Sequence, residues 1–238
     1  MKNIRMSQAQ NLLIQQLPEA IRSRLLDQCE PFELVLSAEL SVRGQPLSHA
    51  YFPESGFISL VIDVDTYPEL EVGMVGRESM LGSELVLGLA KTPWRALVQG
   101  AGHSWRIEAE VLRQECTASP VLRQVIQTSL LVRLHQQTLA SACERFHEIG
   151  PRLARWLLMS QDRAQADTFH VTQEFMALML GVRRVGVTVA ANAFQKSGFI
   201  EYRRGELTVR DRPALQAQAC SCYAADRHLH AELSEGPP

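Results

Sequence analysis

Apolar positions along the chain change period more than once, and each change marks a different kind of element. Over residues 7–30, Leu12, Leu13, Leu17, Ile21, Leu25 and Leu26 recur about a helical turn apart, so this stretch is expected to be helical. From Phe32 to about Arg106 the pattern shortens. Apolar runs such as Phe57-Ile58-Ser59-Leu60-Val61-Ile62 and Leu70-Glu71-Val72-Gly73-Met74-Val75 are separated by Gly, Pro and acidic turns, and glycines at 44, 56, 73, 76, 82, 88, 100 and 102 punctuate it. Short strands and close-set turns of this kind predict a compact β-roll or barrel.

Pro120 then opens a long helix. Val121, Leu122, Val125, Ile126, Leu130, Leu131, Leu134, Leu139 and Ala142 form a near-heptad stripe, with Gln and Arg on the opposite face. Such a stripe either packs on its own β-roll or forms a dimer seam, and its length favours the seam. Gly150-Pro151 is expected to break the helix and mark a domain boundary. Leu153, Trp156 and Leu157 start a further amphipathic helix, followed by a polar connector over Gln161–Asp167.

The segment 172–195 carries the most chemistry. Thr172 is placed to cap a short helix through its hydroxyl, with Phe175, Met176 and Met179 on one face. Gly181 can take the positive φ of a tight inter-helix turn. A second helix begins at about Arg183, in which Val187, Ala190, Ala191 and Phe194 fall at i, i+3, i+4 and i+7 and face inward. Arg184, Val185, Thr188 and Val189 are left outward near its start, where a recognition helix of about 183–197 presents side chains to base edges in the major groove. Gly198–Val209 then alternates like a hairpin turning at Arg204-Gly205. A basic hairpin after a recognition helix reads as a wing, whose Arg203 and Arg204 neutralise phosphates without reading sequence. Thr172, Gln173 and Arg183 join them as expected phosphate contacts.

Composition narrows this reading. A chain of 238 residues, 46% apolar, can fill two modest cores. Residues 1–150 hold 13 Lys and Arg against 17 Asp and Glu, whereas residues 151–238 hold 11 against 9. The excess of positive charge thus lies in the half that carries the helix pair. No apolar run approaches the roughly 20 residues of a membrane span. The basic start Met1–Gln8 has no apolar core behind it, so it is not expected to be a secretory signal. Cys29, Cys116, Cys143, Cys220 and Cys222 are odd in number and scattered, which suits reduced thiols and a cytoplasmic setting.

These residues resemble the Crp/Fnr family of transcription regulators over nearly the whole chain. The most specific stretches are Thr172–Ala177, Leu180–Arg184 and Gly198-Phe199-Ile200; Pro53–Leu60 and Val75–Gly82 are also similar. The resemblance implies an α+β protein with an N-terminal double-stranded, jelly-roll-like β-roll of the cyclic-nucleotide-binding type (1–117). A dimerisation helix (118–149) and a C-terminal winged helix-turn-helix (150–238) would follow. It implies a cytoplasmic homodimer on double-stranded DNA with a palindromic operator, contacting RNA polymerase if it activates. In the family an Arg shortly after the turn glycine reads guanine, and Arg184 sits there. The next position often holds Glu but is Val185 here, and a further Arg one turn on is replaced by Val189. The operator is therefore expected to differ from the family's best-known site, with Val185 against a thymine methyl.

The resemblance also implies an effector pocket, for which Gly82, Glu84 and Arg95 are the candidates. In the family's phosphate cassette a Glu after a Gly grips the ribose, and an Arg followed by Ser or Thr grips the cyclic phosphate. Gly82-Ser83-Glu84-Leu85 resembles the first part, but Pro93-Trp94-Arg95-Ala96 puts Trp94 in the arginine place and Arg95 in the hydroxyl place. That breaks the usual pairing and argues against ordinary cyclic AMP, leaving an unknown effector or none; no cofactor is assigned. Cys29 and Cys116 are too sparse for an iron–sulfur cluster, and His49 and His103 have no pattern supporting a haem. Cys220 and Cys222, with His228 and His230 nearby, have metal-ligand chemistry. On one helix, however, positions 220 and 222 would point about 200° apart, so no metal site is expected there. No phosphate loop, nucleophile elbow or metalloprotease motif occurs, and Glu69, Glu71 and Glu78 have no identifiable catalytic partner. The protein is not expected to be an enzyme. The alternative to DNA binding is a ligand- or partner-binding module whose winged helix contacts protein.

Overall fold

The computed structural model describes residues 9–65 and 67–234 of this α+β protein. Two compact units make up the chain: residues up to Leu60 with Met74–Arg133, and Val61–Gly73 with Leu134 onward.

The first unit is a β-roll. Strand β7 (Gly102–Glu108) pairs antiparallel with both β1 (Glu30–Leu34) and β3 (His49–Pro53). A second sheet has the order β2 (Glu39–Ser41), β6 (Arg95–Gly100), β4 (Phe57–Val64), β5 (Tyr67–Val75), of which Val61–Gly73 is counted with the second unit. Phe57 to Val61 are buried without alternation, as expected of a strand covered on both faces. The turn before β4 fits only glycine. Gly56 has φ +73°, and a Cβ there would lie 2.3 Å from the Gly100 carbonyl oxygen, so two turns press backbone to backbone.

The expected helix over 7–30 is in fact two helices, and the basic start Met1–Gln8 lies outside the described residues. Helix α1 (Leu12–Gln15) is capped by Asn11, whose side chain accepts from Leu13 and Ile14 N–H at 3.1 Å. Helix α2 (Glu19–Asp27) starts afresh after Pro18, which cannot donate the N–H a continuous helix needs. Their apolar residues still fill one core, with Leu13, Ile14, Leu17, Leu25 and Leu26 packed beside Phe52, Met80 and Trp105.

Helix α3 (Ala109–Ala118) stops at the extended Ser119, and Pro120 begins α4 (Pro120–Phe146) as expected. The apolar stripe of α4 is divided. Leu122 and Ile126 are buried in the core of the β-roll, whereas Leu131 is 55% and Leu134 63% exposed. The break after it differs from the expectation: α4 ends at Phe146, and Gly150-Pro151 lie inside the first turn of α5 (Ile149–Ala164). A first turn tolerates proline because its N–H groups have no intrahelical acceptor.

In the second unit α5 supplies the core, burying Leu153, Ala154, Trp156, Leu157 and Leu158. It also runs through most of the stretch expected as a polar connector. Gln161 and Asp162 stay helical because each has partners. Gln161 Nε2 donates to Asp167 Oδ1 at 2.8 Å, and the Arg212 guanidinium donates to Gln161 Oε1 and Asp162 Oδ1, both at 2.6 Å. The Tyr223 hydroxyl closes the set by donating to Asp162 Oδ2 at 2.7 Å. Helices α6 (Gln173–Met179), α7 (Arg184–Lys196), α8 (Arg212–Gln218) and α9 (Ser221–Ser234) follow, with a sheet of order β8 (Thr168–His170), β10 (Glu206–Val209), β9 (Ile200–Arg203).

Candidate nucleic-acid interface

The expected helix pair forms with its caps in place. Thr172 Oγ1 accepts the Phe175 N–H at 3.1 Å, and Gly181 turns the chain at φ +62°. Helix α6 buries Met176 and Met179, with Phe175 tilted against Trp156 at a centroid distance of 6.3 Å. Helix α7 buries Val187, Ala191 and Phe194, with Ala190 half-buried. Its opposite face is open: Val185 is 73% and Val189 65% exposed, with Arg184 exposed beside them. Thr188 and Gln173, expected to serve base and phosphate respectively, are brought together. The Thr188 hydroxyl donates to Gln173 Oε1 at 2.7 Å, with the Arg184 carbonyl 3.0 Å away. This ties the two helices across the turn and leaves the Gln173 amide nitrogen as the donor.

The hairpin also forms as expected. Strands β9 and β10 pair antiparallel around Arg204 (φ +54°) and Gly205 (φ +86°), the two positive φ values of a type I′ turn. Strand β8 adds to it through β10, a third strand that the sequence pattern did not show. Arg203 and Arg204 are exposed at its tip, as are Arg183 and Arg184 at the start of α7. Among the described residues none of these four makes a salt bridge, whereas Arg210 pairs with Glu201 and Arg212 with Asp162. These four guanidinium groups are thus exposed without a carboxylate partner.

Two contacts that sequence reasoning missed hold this arrangement. Arg152 of α5 is buried and donates through Nη2 to the Leu180 carbonyl, capping the end of α6 with a cation. Tyr202 of β9 hydrogen-bonds the Gln173 backbone beside Arg184; burial pushes its phenol pKa up, and those two contacts partly oppose the shift. Neither residue has a local pattern, so nothing in the linear sequence could have pointed to them.

Residues 151–218 match the family described as the Crp-like helix-turn-helix domain. That segment is a Crp-like helix-turn-helix domain. The chain as a whole has the fold of Crp/Fnr-family transcription regulators. A CRP-family transcriptional regulator of Thermus thermophilus is 18% identical, with a TM-score of 0.65 over 80% of this chain and 96% of that one. The c-di-GMP responsive global regulator CLP of Xanthomonas campestris is also 18% identical, with a TM-score of 0.64 over 81% of this chain and 99% of its own. FixK2 of Bradyrhizobium japonicum is 12% identical, with a TM-score of 0.65 over 81% and 98%. No curated protein sequence matches the chain. No described helix is long and apolar enough to cross a membrane.

In the β-roll the three expected effector-pocket residues part company. Gly82 (φ +94°) turns the chain into the 3₁₀ segment Ser83–Leu87, where Glu84 is 3% exposed and neither of its carboxylate oxygens has a hydrogen-bond partner. The cation near Glu84 is Arg133 of α4, which the sequence reading did not single out. Its Nη2 donates to the Met80 carbonyl at 2.6 Å, and its guanidinium lies 5.9 Å from the Trp94 ring centroid. Burial lowers the Arg133 pKa, and the charges of Glu84 and Glu78 oppose that shift. Arg95, the third candidate, pairs with Glu39 at 2.8 Å.

The cysteines near the C-terminus also differ from expectation. Cys220 precedes α9 rather than sharing a helix with Cys222, so the opposed directions expected of two helical positions do not apply. His228 pairs with Glu232 at 3.2 Å, and the residues gathered around Cys220 and Cys222 are Cys143 and His147.

Proposed function

We propose that this protein is a homodimeric, sequence-selective transcription regulator on a palindromic operator, with α7 in the major groove and the β9–β10 wing on the phosphates. The observation that carries this reading is the open face of α7. Arg184 and the strongly exposed Val185 and Val189 lie there, opposite a buried Val187, Ala191 and Phe194. An arginine fork suits the O6 and N7 edge of guanine, and the two valines suit thymine methyls. Thr188 completes the base-facing set, while Thr172, Gln173, Arg183, Arg203 and Arg204 contact phosphate and set the register. Two copies related by a two-fold axis would read half-sites roughly 34 Å apart. If the protein activates transcription, it does so by contacting RNA polymerase.

The β-roll is proposed to need no ordinary cyclic nucleotide. Arg95 is neutralised by Glu39, and the buried Arg133 already has Glu84 and Glu78 as counter-charges. Selection of the full-length protein against a random duplex pool, with and without added cyclic nucleotide, tests both parts. An enriched palindrome under both conditions is expected. Enrichment only with nucleotide would overturn the reading of the β-roll, and no enriched site under either condition would overturn DNA recognition.

A further inference from the structure

Three thiols and an imidazole converge in the second unit. Cys143 and His147 lie one turn apart at the end of α4, and the His147 N–H still donates to the Cys143 carbonyl at 3.0 Å. Cys220 occupies the gap between α8 and α9, and Cys222 lies in the first turn of α9. The three sulfurs and the His147 ring nitrogens supply donor atoms that all lie within 4.8 Å of one another. Cys143 Sγ is 3.4 Å from Cys220 Sγ, and Cys222 Sγ is 3.7 Å from His147 Nδ1. The cysteines are 2%, 8% and 6% exposed and form a buried cluster of their own.

We propose that Cys143, His147, Cys220 and Cys222 form a closed Cys₃His site for one zinc ion. Tetrahedral zinc, with Zn–S of about 2.3 Å and Zn–N of about 2.0–2.1 Å, spaces its donors about 3.5–3.8 Å apart. Two of the contacts already stand near that spacing, and the widest needs to close by only about 1 Å to reach it. Among the described residues the donor set contains no carboxylate, and three thiolates with an imidazole suit zinc rather than a hard cation. Such a centre carries one net negative charge. The charge of Arg155 on α5 reaches all three sulfurs, and its buried Nε has no hydrogen-bond partner, so a counter-charge is in place.

The position of the ligands defines the role. One pair lies just before residues 151–218 and the other just after, so the metal fastens the two ends of the Crp-like domain to each other. Four protein ligands leave no open position for a substrate, which makes the centre structural. Its binding free energy is then folding free energy of the second unit. A Cys143–Cys220 disulfide is the competing use of the same atoms. It would leave Cys222 and His147 without a role.

The full-length protein, purified under reducing conditions without a metal-chelate resin, should carry about one zinc per chain by elemental mass spectrometry. Replacement of zinc by Co²⁺ should give the intense d–d bands of a tetrahedral site together with a thiolate-to-cobalt charge-transfer band. Cys143→Ser and Cys222→Ser should each lower metal affinity by at least the about 10–100-fold that outer-shell changes alone cost. Cys29→Ser and Cys116→Ser should leave it unchanged. Chelation should lower the thermal midpoint of the parent chain but not that of Cys143→Ser. The cobalt spectrum of the parent chain needs no variant to fold. A parent chain with neither stoichiometric zinc nor those bands would overturn the site, and a metal-free Cys143–Cys220 disulfide in peptide mapping would replace it with a thiol pair. Zinc retained equally in Cys143→Ser and Cys222→Ser would place the metal elsewhere.

Discussion

Arg184 and Arg152 stand at the two ends of one short turn and do opposite things. Arg184 is exposed and unpaired, and Arg152 is buried and spent on the Leu180 carbonyl. Substituting the first should therefore change recognition and leave stability alone. Arg184→Ala is expected to cost about 1–3 kcal/mol of operator binding per half-site and to relax preference at one base pair of each half-site. Arg184→Lys should lose most of the same discrimination, because an ammonium cannot form the paired fork contact. Competition titrations against operators altered one base pair at a time would show this, and an unchanged preference in Arg184→Ala would sink the assigned register. Arg152→Met should do the reverse, lowering unfolding stability by about 1.5–3 kcal/mol in urea titration while the preferred site stays the same. The local features were legible in the sequence, since the Thr172 cap and the Gly181 turn each act within a few positions of themselves. Arg152 and Tyr202 were not, because their partners lie far off along the chain and only folding brings them close.

At the scale of elements, the β9–β10 hairpin shows how such a turn can be specified by two residues. Arg204-Gly205 needs positive φ at both positions, and the Gly205 Cα faces the His170 ring so closely that a Cβ would sit 2.6 Å from Cε1. Gly205→Ala is therefore expected to destabilise the second unit by roughly 1–2 kcal/mol through backbone strain, with the clash added. Arg203→Ala and Arg204→Ala have no such cost, since both side chains are exposed and unpaired. Each should weaken binding to all sequences alike and reduce the slope of log affinity against log salt by about 1 for each copy bound, so by about 2 for the dimer. An unchanged salt slope in the double variant would remove the wing from the interface. Alternation and a turn dipeptide made this hairpin readable. Strand β8 was not, because three residues carry no period and its place depends on pairing with β10. The N-terminal helix misled for a related reason: its stripe continues across Pro18 although its hydrogen bonds cannot.

The whole molecule turns on α4, whose 27 residues span about 40 Å. The sequence showed its stripe as continuous, but the fold spends the stripe in two places. Leu122 and Ile126 serve the β-roll, and Leu131 and Leu134 face outward. A single chain gains nothing from presenting two leucines on one face of a long helix, whereas a second copy across a two-fold axis would cover them. Leu131→Asp with Leu134→Asp should accordingly leave each unit folded, because neither side chain belongs to its core, and should convert the proposed dimer to monomer in sedimentation velocity. The DNA consequence follows from bivalency. A dimer engages its second half-site at a high effective concentration, which typically multiplies affinity by about 10²–10⁴. The double variant should lose about that factor on a full palindrome and almost nothing on an isolated half-site. Equal losses on both would mean that the substitutions damaged α7 rather than the pairing. A variant that remained dimeric would assign the seam to another face, with Leu131 and Leu134 exposed for some other purpose.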